Sequence, residues 1–282
     1  MREPTVRIQT IKKDTVKARL FLFGALVVLL LLASAFSARL TPYDPYLQDL
    51  ANAKAAPSAV HLLGTDRYGR DMLSRVIIGS RTSIFSALLL VGIVTALGTT
   101  VGVLAGWRGG WADTVLMRIA DIFLAFPGLV FAMAVAGVLG GGLQNAVIAL
   151  AAVSWPKYAR LARSRTLAVK ELPFIRAAKI AGSGTRKIIE RHILPNIIGP
   201  ILVAAMLDIG TMMMELAGLS FLGLGAKPPA AEWGSMVSDA RGLISSAPWA
   251  ALAPGGAIFI SVMVFNLFGD TLRDYADPKM RR

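Results

Sequence analysis

Stretches of about 20 apolar residues, the length at which a helix crosses a lipid bilayer, recur along this chain. The first is continuous from Leu20 to Phe36, and none alternates between apolar and polar residues as the strands of a membrane barrel do. Backbone in lipid must satisfy its own hydrogen bonds, which leaves the α-helix as the repeating element. Because 55% of the 282 residues are hydrophobic, the sequence predicts an all-α integral membrane protein surrounded by a lipid bilayer.

Positive charge follows the pattern of cytoplasmic loops. Residues 157–195 carry ten basic residues against two acidic ones, and residues 1–19 are also rich in Lys and Arg. The positive-inside rule places both regions, and both chain termini, in the cytoplasm. A cleaved signal peptide ending at Ala33-Ser34-Ala35 is the alternative for the N-terminus. The length of the first run and the further apolar segments favour an uncleaved helix.

Six transmembrane helices follow from this count. They are predicted over residues 20–40, 83–107, 114–138, 143–161, 196–218 and 249–269. Residues 1–19 form a cytoplasmic segment, 41–82 an external loop, 219–248 a Gly- and Pro-rich external segment, and 271–282 a cytoplasmic tail. In the external loop, the spacing of apolar residues after Asp71 predicts a separate amphipathic helix lying in the membrane interface.

Two local patterns predict how these helices are shaped and packed. Pro127-Gly128 predicts a kink in the third helix, because proline lacks the N–H of a helical hydrogen bond. Gly98, Gly102 and Gly106 recur at every fourth position in the second helix, a spacing that lets another helix backbone approach closely.

The composition excludes several functional classes. The net charge is +13, and its basic residues lie between the apolar runs. They are not interleaved with aromatic residues as on the surface of a single-strand nucleic-acid-binding protein, so we expect no nucleic acid partner. The chain has no cysteine, and its two histidines, His61 and His192, are far apart in sequence, so we expect no metal site and no cofactor bound by this chain.

The stretch with the most distinctive local pattern is RAAKIAGSGTRKIIERHILP, residues 176–195. Its Gly182 to Lys187 portion lacks the spacing of a phosphate-binding loop. Small residues, a glycine break and helical spacing of isoleucines predict a short helix, a turn and a second short helix that ends at Leu194-Pro195. The alternative is a plain basic loop solvated at the lipid headgroups.

This stretch resembles the EAA loop of ABC-importer permeases, the pattern E-A-A, three residues, G, nine residues, I-x-L-P. Arg176 stands in place of the Glu and His192 in place of the Ile. The residues that match in register are Ala177, Ala178, Gly182, Leu194 and Pro195.

Further motifs resemble the dipeptide, oligopeptide and nickel branch of that family, and its second, C-type permease subunit. They are HLLGTDRYGRDMLSR from His61, LSFLGLGAKPPAAEW from Leu219, and NLFGDTLRD from Asn266 followed by Asp277-Pro278.

The resemblance implies a type I ABC importer (MetI-like) permease fold, with a five-helix domain over 83–270 and a coupling loop at 174–195. It also implies a bacterial inner-membrane location and four partners: a homologous permease, two ATP-binding subunits and an extracytoplasmic solute-binding protein. The chain itself is then no enzyme, because ATP and Mg²⁺ bind to the partner ATPase subunits.

Three residues of the fifth helix are candidates for lining the transport pathway: Asp208, Glu215 and Met212. The two acids are seven residues apart and share one helix face, and an acid at mid-bilayer needs a partner or an aqueous path. Asp208 either meets a cationic solute or serves as a hydrogen-bonded packing acid between helices. The neighbouring methionines are favoured as packing residues over metal ligands.

Two external regions have alternative interpretations. In the 61–75 loop, local ion pairs of the arginines with Asp66 and Asp71 are favoured over contact with solute. The 219–248 segment is either an external gate or the contact for the binding protein, or else a re-entrant plug packed on the bundle.

Two other functions stay open: a proton-coupled secondary transporter using Asp208 and Glu215, and a membrane scaffold without transport.

Overall fold

The structure is a computed structural model that describes residues 3–276, with side chains from residue 15 onward. The described part is built of helices, with one isolated bridge between Thr65 and Asp71 as its only β pairing. The Asp277-Pro278 portion of the C-terminal motif lies outside the described residues.

The first helix is longer toward the N-terminus than predicted. Helix α1 spans Glu3–Ala35 and is followed by a short helix, α2, at Ser37–Leu40. It packs along the helices at Trp249–Ala276 and Met72–Arg108, and much of its apolar side remains uncovered, as at Phe21 and Leu29. This exposed apolar side suits a helix at the edge of a bundle in lipid.

The predicted interfacial helix and second membrane helix are one continuous element, α3, at Met72–Arg108. Asp71 caps its N-terminus by accepting hydrogen bonds from the Ser74 N–H and hydroxyl, both at 2.7 Å. The chain contains no proline between these points, so nothing stops the helix from running on. Its 37 residues span about 55 Å, so part of it lies beyond the hydrocarbon layer.

The kink predicted at Pro127 is a break between two helices. Helix α4 covers Gly110–Leu124 and α5 covers Gly128–Val138, and the two axes differ by 90°. The missing N–H of Pro127 and the flexible Gly128 explain why the break falls there.

Four helices of the described part are long and apolar enough to cross a membrane, or five if the bent α4–α5 pair counts as one span. Helix α6, Leu143–Lys170, covers the predicted fourth span but carries Lys157, Arg160 and Arg163 in its second half. Its first half packs into the bundle rather than facing outward. The count of six transmembrane helices therefore stays a prediction.

The glycine stripe of α3 does bring another helix close, and that helix is α6 of the same chain. A Cβ on Gly98 would lie 2.5 Å from the Trp155 carbonyl oxygen, and one on Gly102 would lie 2.2 Å from that of Ala159. This α3–α6 contact forms the centre of the bundle.

The remaining helices complete the bundle. They are α7 at Pro173–Ile180, α8 at Thr185–Ile188, α9 at Leu194–Phe221, α10 at Trp233–Ala240 and α11 at Trp249–Ala276. Helices α3, α6, α9 and α11 enclose the core, and α10 packs on the C-terminal end of α9 and the N-terminal part of α11.

Candidate functional site

Residues 173–193, which we call the basic segment, have the predicted helix–turn–helix shape. Helix α7 ends in a turn at Gly182, which has a left-handed φ of +77°. The Gly182 N–H donates to the Lys179 carbonyl, and the Ser183 N–H donates to that of Ala178, both at 3.0 Å. This is the hydrogen-bond pair of a Schellman turn, in which glycine is favoured because a side chain strains the left-handed residue.

The second helix of the basic segment does not end at Leu194-Pro195 as predicted. Helix α8 passes through a five-residue π-turn, Ile189–Ile193, directly into α9. The wider turn accommodates Pro195, which offers no N–H to the preceding turn. The Asn196 amide side chain donates to the His192 carbonyl at 2.6 Å, so the helix continues with that acceptor satisfied.

The outer surface of the basic segment is an apolar tip with a basic rim. Ile180 is 88% exposed at the tip, beside the exposed Ala177, whereas Ala178 is partly buried against the core. Arg186 on the rim is paired with Glu190 at 2.8 Å, four residues further along. An exposed apolar side chain of this size suits contact with another protein.

The inner surface of the basic segment is held by buried side chains. Three of its five isoleucines, Ile175, Ile188 and Ile193, are fully buried in the main core. The Arg176 guanidinium, at the position of the family's glutamate, pairs with Glu171 at 3.2 Å. Both side chains are largely exposed, so this pair stabilises the segment little.

The basic segment contacts the end of α3, which no local sequence pattern indicated. The Lys179 ammonium lies 4.9 Å from the centre of the Trp107 ring, a cation–π contact. The Lys170 ammonium at the end of α6 donates to the Trp107 carbonyl at 2.6 Å, where it also offsets the negative end of the helix dipole. Trp107 therefore connects α3, α6 and α7 on the side predicted to be cytoplasmic.

One face of α9 is left open by the neighbouring helices. Thr211 and Met214 are exposed on it. Two clefts lie along this open face. One of about 760 Å³ lies at Val203 and Leu207, between α6 and α11, and one of about 490 Å³ lies beside Met214, between α10 and α11.

Asp208 and Glu215 lie at one edge of the open face, about 20° apart around the helix axis. The Asp208 carboxylate accepts a hydrogen bond from the Tyr158 hydroxyl at 2.7 Å and forms an ion pair with Lys157 of α6. Glu215 is partly exposed, and no hydrogen bond to its carboxyl group is found among the described residues. Lys157 and Asp208 are nevertheless near enough to act on its charge. Asp208 is thus a partnered acid, whereas Glu215 keeps its oxygens free.

Met212 does not share this face. Its side chain is 2% exposed and packs in the main core with Met213, because the helix turns both away from the clefts. Met214 is the methionine that reaches the open face.

The arginine-rich 61–75 loop is internally paired at Asp66, as favoured from the sequence. Asp71 instead pairs with His61, and Arg67 pairs outside the loop with Asp239. The Arg70 guanidinium donates to Asp66 at 2.6 Å, and the His61 ring nitrogen lies 3.0 Å from Asp71. Asp66, Arg70 and Asp71 are buried, so these contacts fix the loop as a compact cap.

The 219–248 segment packs on this cap and on α3. Glu232 is buried and caps α10 by accepting hydrogen bonds from the Gly234 and Ser235 N–H groups at 2.9 and 2.8 Å. The indole N–H of Trp233 donates to the Val76 carbonyl, and that of Trp249 to the Thr65 carbonyl. Sequence reasoning missed Glu232, although an acid just before a short helix is typical of an N-cap.

The comparison with known protein families gives one match that covers most of the chain. The family model described as "Binding-protein-dependent transport system inner membrane component" matches residues 98–282.

Similar proteins include permeases with three different names. The chain is 43% identical to the dipeptide transport system permease protein DppC of Alkalihalophilus pseudofirmus, covering 95% of this chain and 89% of that protein. It is 45% identical to the glutathione transport system permease protein GsiD of Pectobacterium atrosepticum, covering 92% and 86%. It is 43% identical to the nickel transport system permease protein NikC of Escherichia coli K12, covering 90% and 92%.

A solved structure shares the fold. An inward-facing form of the MetNI methionine ABC transporter superposes with a TM-score of 0.53 at 19% identity. The match covers 73% of this chain and 98% of that one, so the likeness extends over the bundle and supports a MetI-like fold.

Proposed function

The chain belongs to the family of binding-protein-dependent transport system inner membrane components, and we propose that its basic segment couples a separate ATPase to the movement of α9. It is the permease subunit of an ATP-binding-cassette importer. Under the proposal, this chain hydrolyses no ATP itself.

The observation that carries the proposal is the continuity of the basic segment with α9. From Thr185 to Phe221 the backbone is helical without a break. A helix is stiff along its axis, so displacement of the exposed turn at Gly182 tilts or shifts α9 rather than being absorbed in a loop. Asp208 and Glu215 lie on the helix that would move.

The partners follow from the family and from the exposed surfaces. We propose two ATP-binding subunits, one of them against the tip at Ile180, a homologous permease against the open face of α9, and a solute-binding protein at the external cap. The clefts along α9, of which the one beside Met214 is apolar, support a helical partner there, because a second permease would cover surface that is otherwise open. Both chain termini are then cytoplasmic, with the protein in the bacterial inner membrane.

We propose that the solute belongs to one of the classes for which the relatives are named. Relatives named for dipeptides, glutathione and nickel are 43–45% identical to this chain. We propose that Asp208 and Glu215 border the pathway between the two permeases. These two acids would then meet a cationic group of the solute.

The test is ATP dependence of uptake in proteoliposomes. The chain is reconstituted with its second permease, its ATPase subunits and its binding protein, and uptake of a dipeptide, glutathione and nickel is measured. Inactivating the partner ATPase is expected to reduce uptake to background, whereas a protonophore leaves it unchanged. Uptake that persists without ATP hydrolysis but stops with the protonophore would establish the proton-coupled alternative instead.

A further inference from the structure

A third cleft, of about 680 Å³, lies where the C-terminal end of α1 meets the first half of α3, and we call it the α1–α3 cleft. Ala35 forms its α1 side, and Tyr46 of the external loop also lines it. Arg81, Phe85 and Leu89 line it from α3. None of its described lining residues belongs to α9, so this cleft is separate from the coupling element and from the proposed pathway.

The position of Arg81 along α3 places it at the level of the lipid headgroups. Between Arg81 and Arg108 the helix contains no Asp, Glu, Lys or Arg. At a rise of about 1.5 Å per residue this uncharged stretch is about 40 Å long, close to the thickness of a bilayer with its headgroups. With Trp107 and Arg108 at the predicted cytoplasmic surface, Arg81 lies at the opposite, predicted external surface.

Arg81 differs from the arginines that precede it by having no acidic partner. Arg67, Arg70 and Arg75 each form an ion pair with an aspartate. Arg81 is exposed, and no ion pair or hydrogen bond of its guanidinium group is found among the described residues. The described residues that line the cleft include no Asp or Glu. The cleft therefore carries a positive charge that an anion would balance.

Polar and apolar side chains follow one another in order along this face of α3. Arg81 and Thr82 come first, and Phe85, Ser86 and Leu89 follow at helical spacing on the same face. Phe85 and Leu89 are exposed, and Leu89 lies about 12 Å along the axis from Arg81, toward the centre of the bilayer. A ligand that fills the cleft is therefore anionic at one end and apolar at the other, as a phospholipid is.

We propose that the α1–α3 cleft binds an anionic phospholipid of the outer leaflet. Its phosphate accepts hydrogen bonds from the Arg81 guanidinium and the Thr82 hydroxyl, and an acyl chain lies against Phe85 and Leu89. An anionic headgroup is favoured over a zwitterionic one, because it neutralises Arg81 without bringing a second cation to the site. A free phosphate would leave the apolar wall uncovered. The site does not depend on coupling through the basic segment.

The test is native mass spectrometry of the purified, delipidated full-length chain in detergent, titrated with dioleoylphosphatidylglycerol. The parent protein and Arg81→Gln are sprayed from the same solution. Anionic lipid bound at the basic cytoplasmic segments is then common to both, and the difference in lipid count reports the cleft. Arg81→Gln is expected to retain one phosphatidylglycerol fewer per chain. Dioleoylphosphatidylcholine and glycerol 1-phosphate, titrated in the same way, are expected to show no such difference.

Two further variants make the result specific to the cleft. Arg81→Lys keeps a cation for the phosphate and is expected to retain the lipid. Arg241→Gln removes another exposed cation of the predicted external side, outside the cleft lining, and is the matched control that also retains it.

Equal phosphatidylglycerol counts in the parent protein and Arg81→Gln would overturn the proposal, as would an equal loss in Arg241→Gln. An Arg81-dependent difference of the same size with phosphatidylcholine or with glycerol 1-phosphate would overturn it too, because the site would then not select an anionic lipid. The count is repeated on the complex with the second permease. Disappearance of the difference there would assign the cleft to the contact between the two permeases instead of to a lipid.

Discussion

Lys157 of α6 and Asp208 of α9 form an ion pair across the helix contact that borders the open face. The Asp208 side chain is 20% exposed and that of Lys157 is 41% exposed, so both reach the exposed edge of the bundle. The pair neutralises a charge that would otherwise be costly at this depth. Variants that remove the charge of one or both partners therefore test the pathway hypothesis.

If Asp208 lines the pathway, Asp208→Asn is expected to lower uptake of a cationic solute about tenfold, equivalent to about 1.4 kcal/mol. Assembly and ATPase activity are expected to persist, because Asn still accepts the Tyr158 hydrogen bond and the exposed Lys157 can be solvated. Uptake and ATP hydrolysis are measured on the same proteoliposomes. The control is Asp121→Asn, which removes an acid paired with Arg160 between α4 and α6, away from the open face.

The double variant Asp208→Asn with Lys157→Gln separates the two roles of Asp208. A packing role needs only a neutral pair, so uptake would recover in the double variant. A pathway role needs the negative charge itself, so we expect uptake to stay low. Normal uptake by Asp208→Asn alone would end the pathway hypothesis for this residue.

The contact between α3 and α6 is expected to depend on Gly102. A Cβ there would meet the Ala159 carbonyl oxygen at 2.2 Å and the Ala162 Cβ at 2.8 Å, so the helices must separate. Gly102→Ala is therefore expected to lose about 1–3 kcal/mol of stability. The readout is the melting temperature of the purified chain in detergent.

The matched control for Gly102 is Gly92, in the same helix. A Cβ on Gly92 meets nothing within 4 Å. Alanine is favoured over glycine in a helix interior, so Gly92→Ala is expected to be neutral or slightly stabilising. A similar loss in both variants would contradict the close-packing explanation.

The cation–π contact between Lys179 and Trp107 is expected to stabilise the basic segment. Lys179→Gln removes a cation–π contact worth about 0.5–1 kcal/mol, so amide exchange in α7 is expected to speed up about two- to fivefold. Lys179→Arg keeps a cation over the ring and is expected to preserve the protection. Lys187→Gln, an exposed cation of the same segment away from the tryptophan, is the control. Unchanged exchange in Lys179→Gln would show that Trp107 does not hold the segment.

The fold was predictable wherever the signal was local. Apolar runs located α1, α3, α9 and α11, and Pro127 located the break between α4 and α5. The start of α3 was predicted wrongly. The amphipathic spacing of apolar residues after Asp71 is typical both of a separate interfacial helix and of the first turns of a longer helix. The end predicted at Pro195 was missed because a π-turn lets a helix continue past proline, and no residue pattern announces it.

The candidate site was predictable in part. The turn at Gly182 and the face shared by Asp208 and Glu215 follow from spacing along one segment. The partners of Asp208 lie about 50 residues away in sequence, on α6, and Lys179 meets Trp107 from a third helix. Which helices become neighbours is decided by packing of the whole bundle, so single-segment patterns could not show these pairs. The burial of Met212 has the same origin, because its helix face is covered by other helices.

The basic segment offers a sharper test in two glycines that lie two residues apart. A Cβ on Gly182 or on Gly184 would meet nothing within 4 Å, so space does not distinguish them. Their backbone conformations distinguish them. Gly182 has a φ of +77°, whereas Gly184 has a φ of −67° and a ψ of 155°, which any residue adopts. Gly182→Val therefore strains the turn by at least about 1–2 kcal/mol, and Gly184→Val does not.

Because α8 continues into α9, a distorted turn at Gly182 changes how the exposed tip meets the ATPase without altering the spans. Gly182→Val is expected to insert in the membrane normally but either to fail to assemble with the ATPase or to let ATP hydrolysis proceed without uptake. Gly184→Val is expected to retain coupled transport. The measurements are membrane insertion, co-purification of the ATPase, and the ratio of ATP hydrolysed to solute taken up. Normal coupled transport by Gly182→Val would refute the coupling role, and equal loss in both variants would show that side-chain bulk at the tip, rather than the left-handed turn, is what the ATPase contact cannot tolerate.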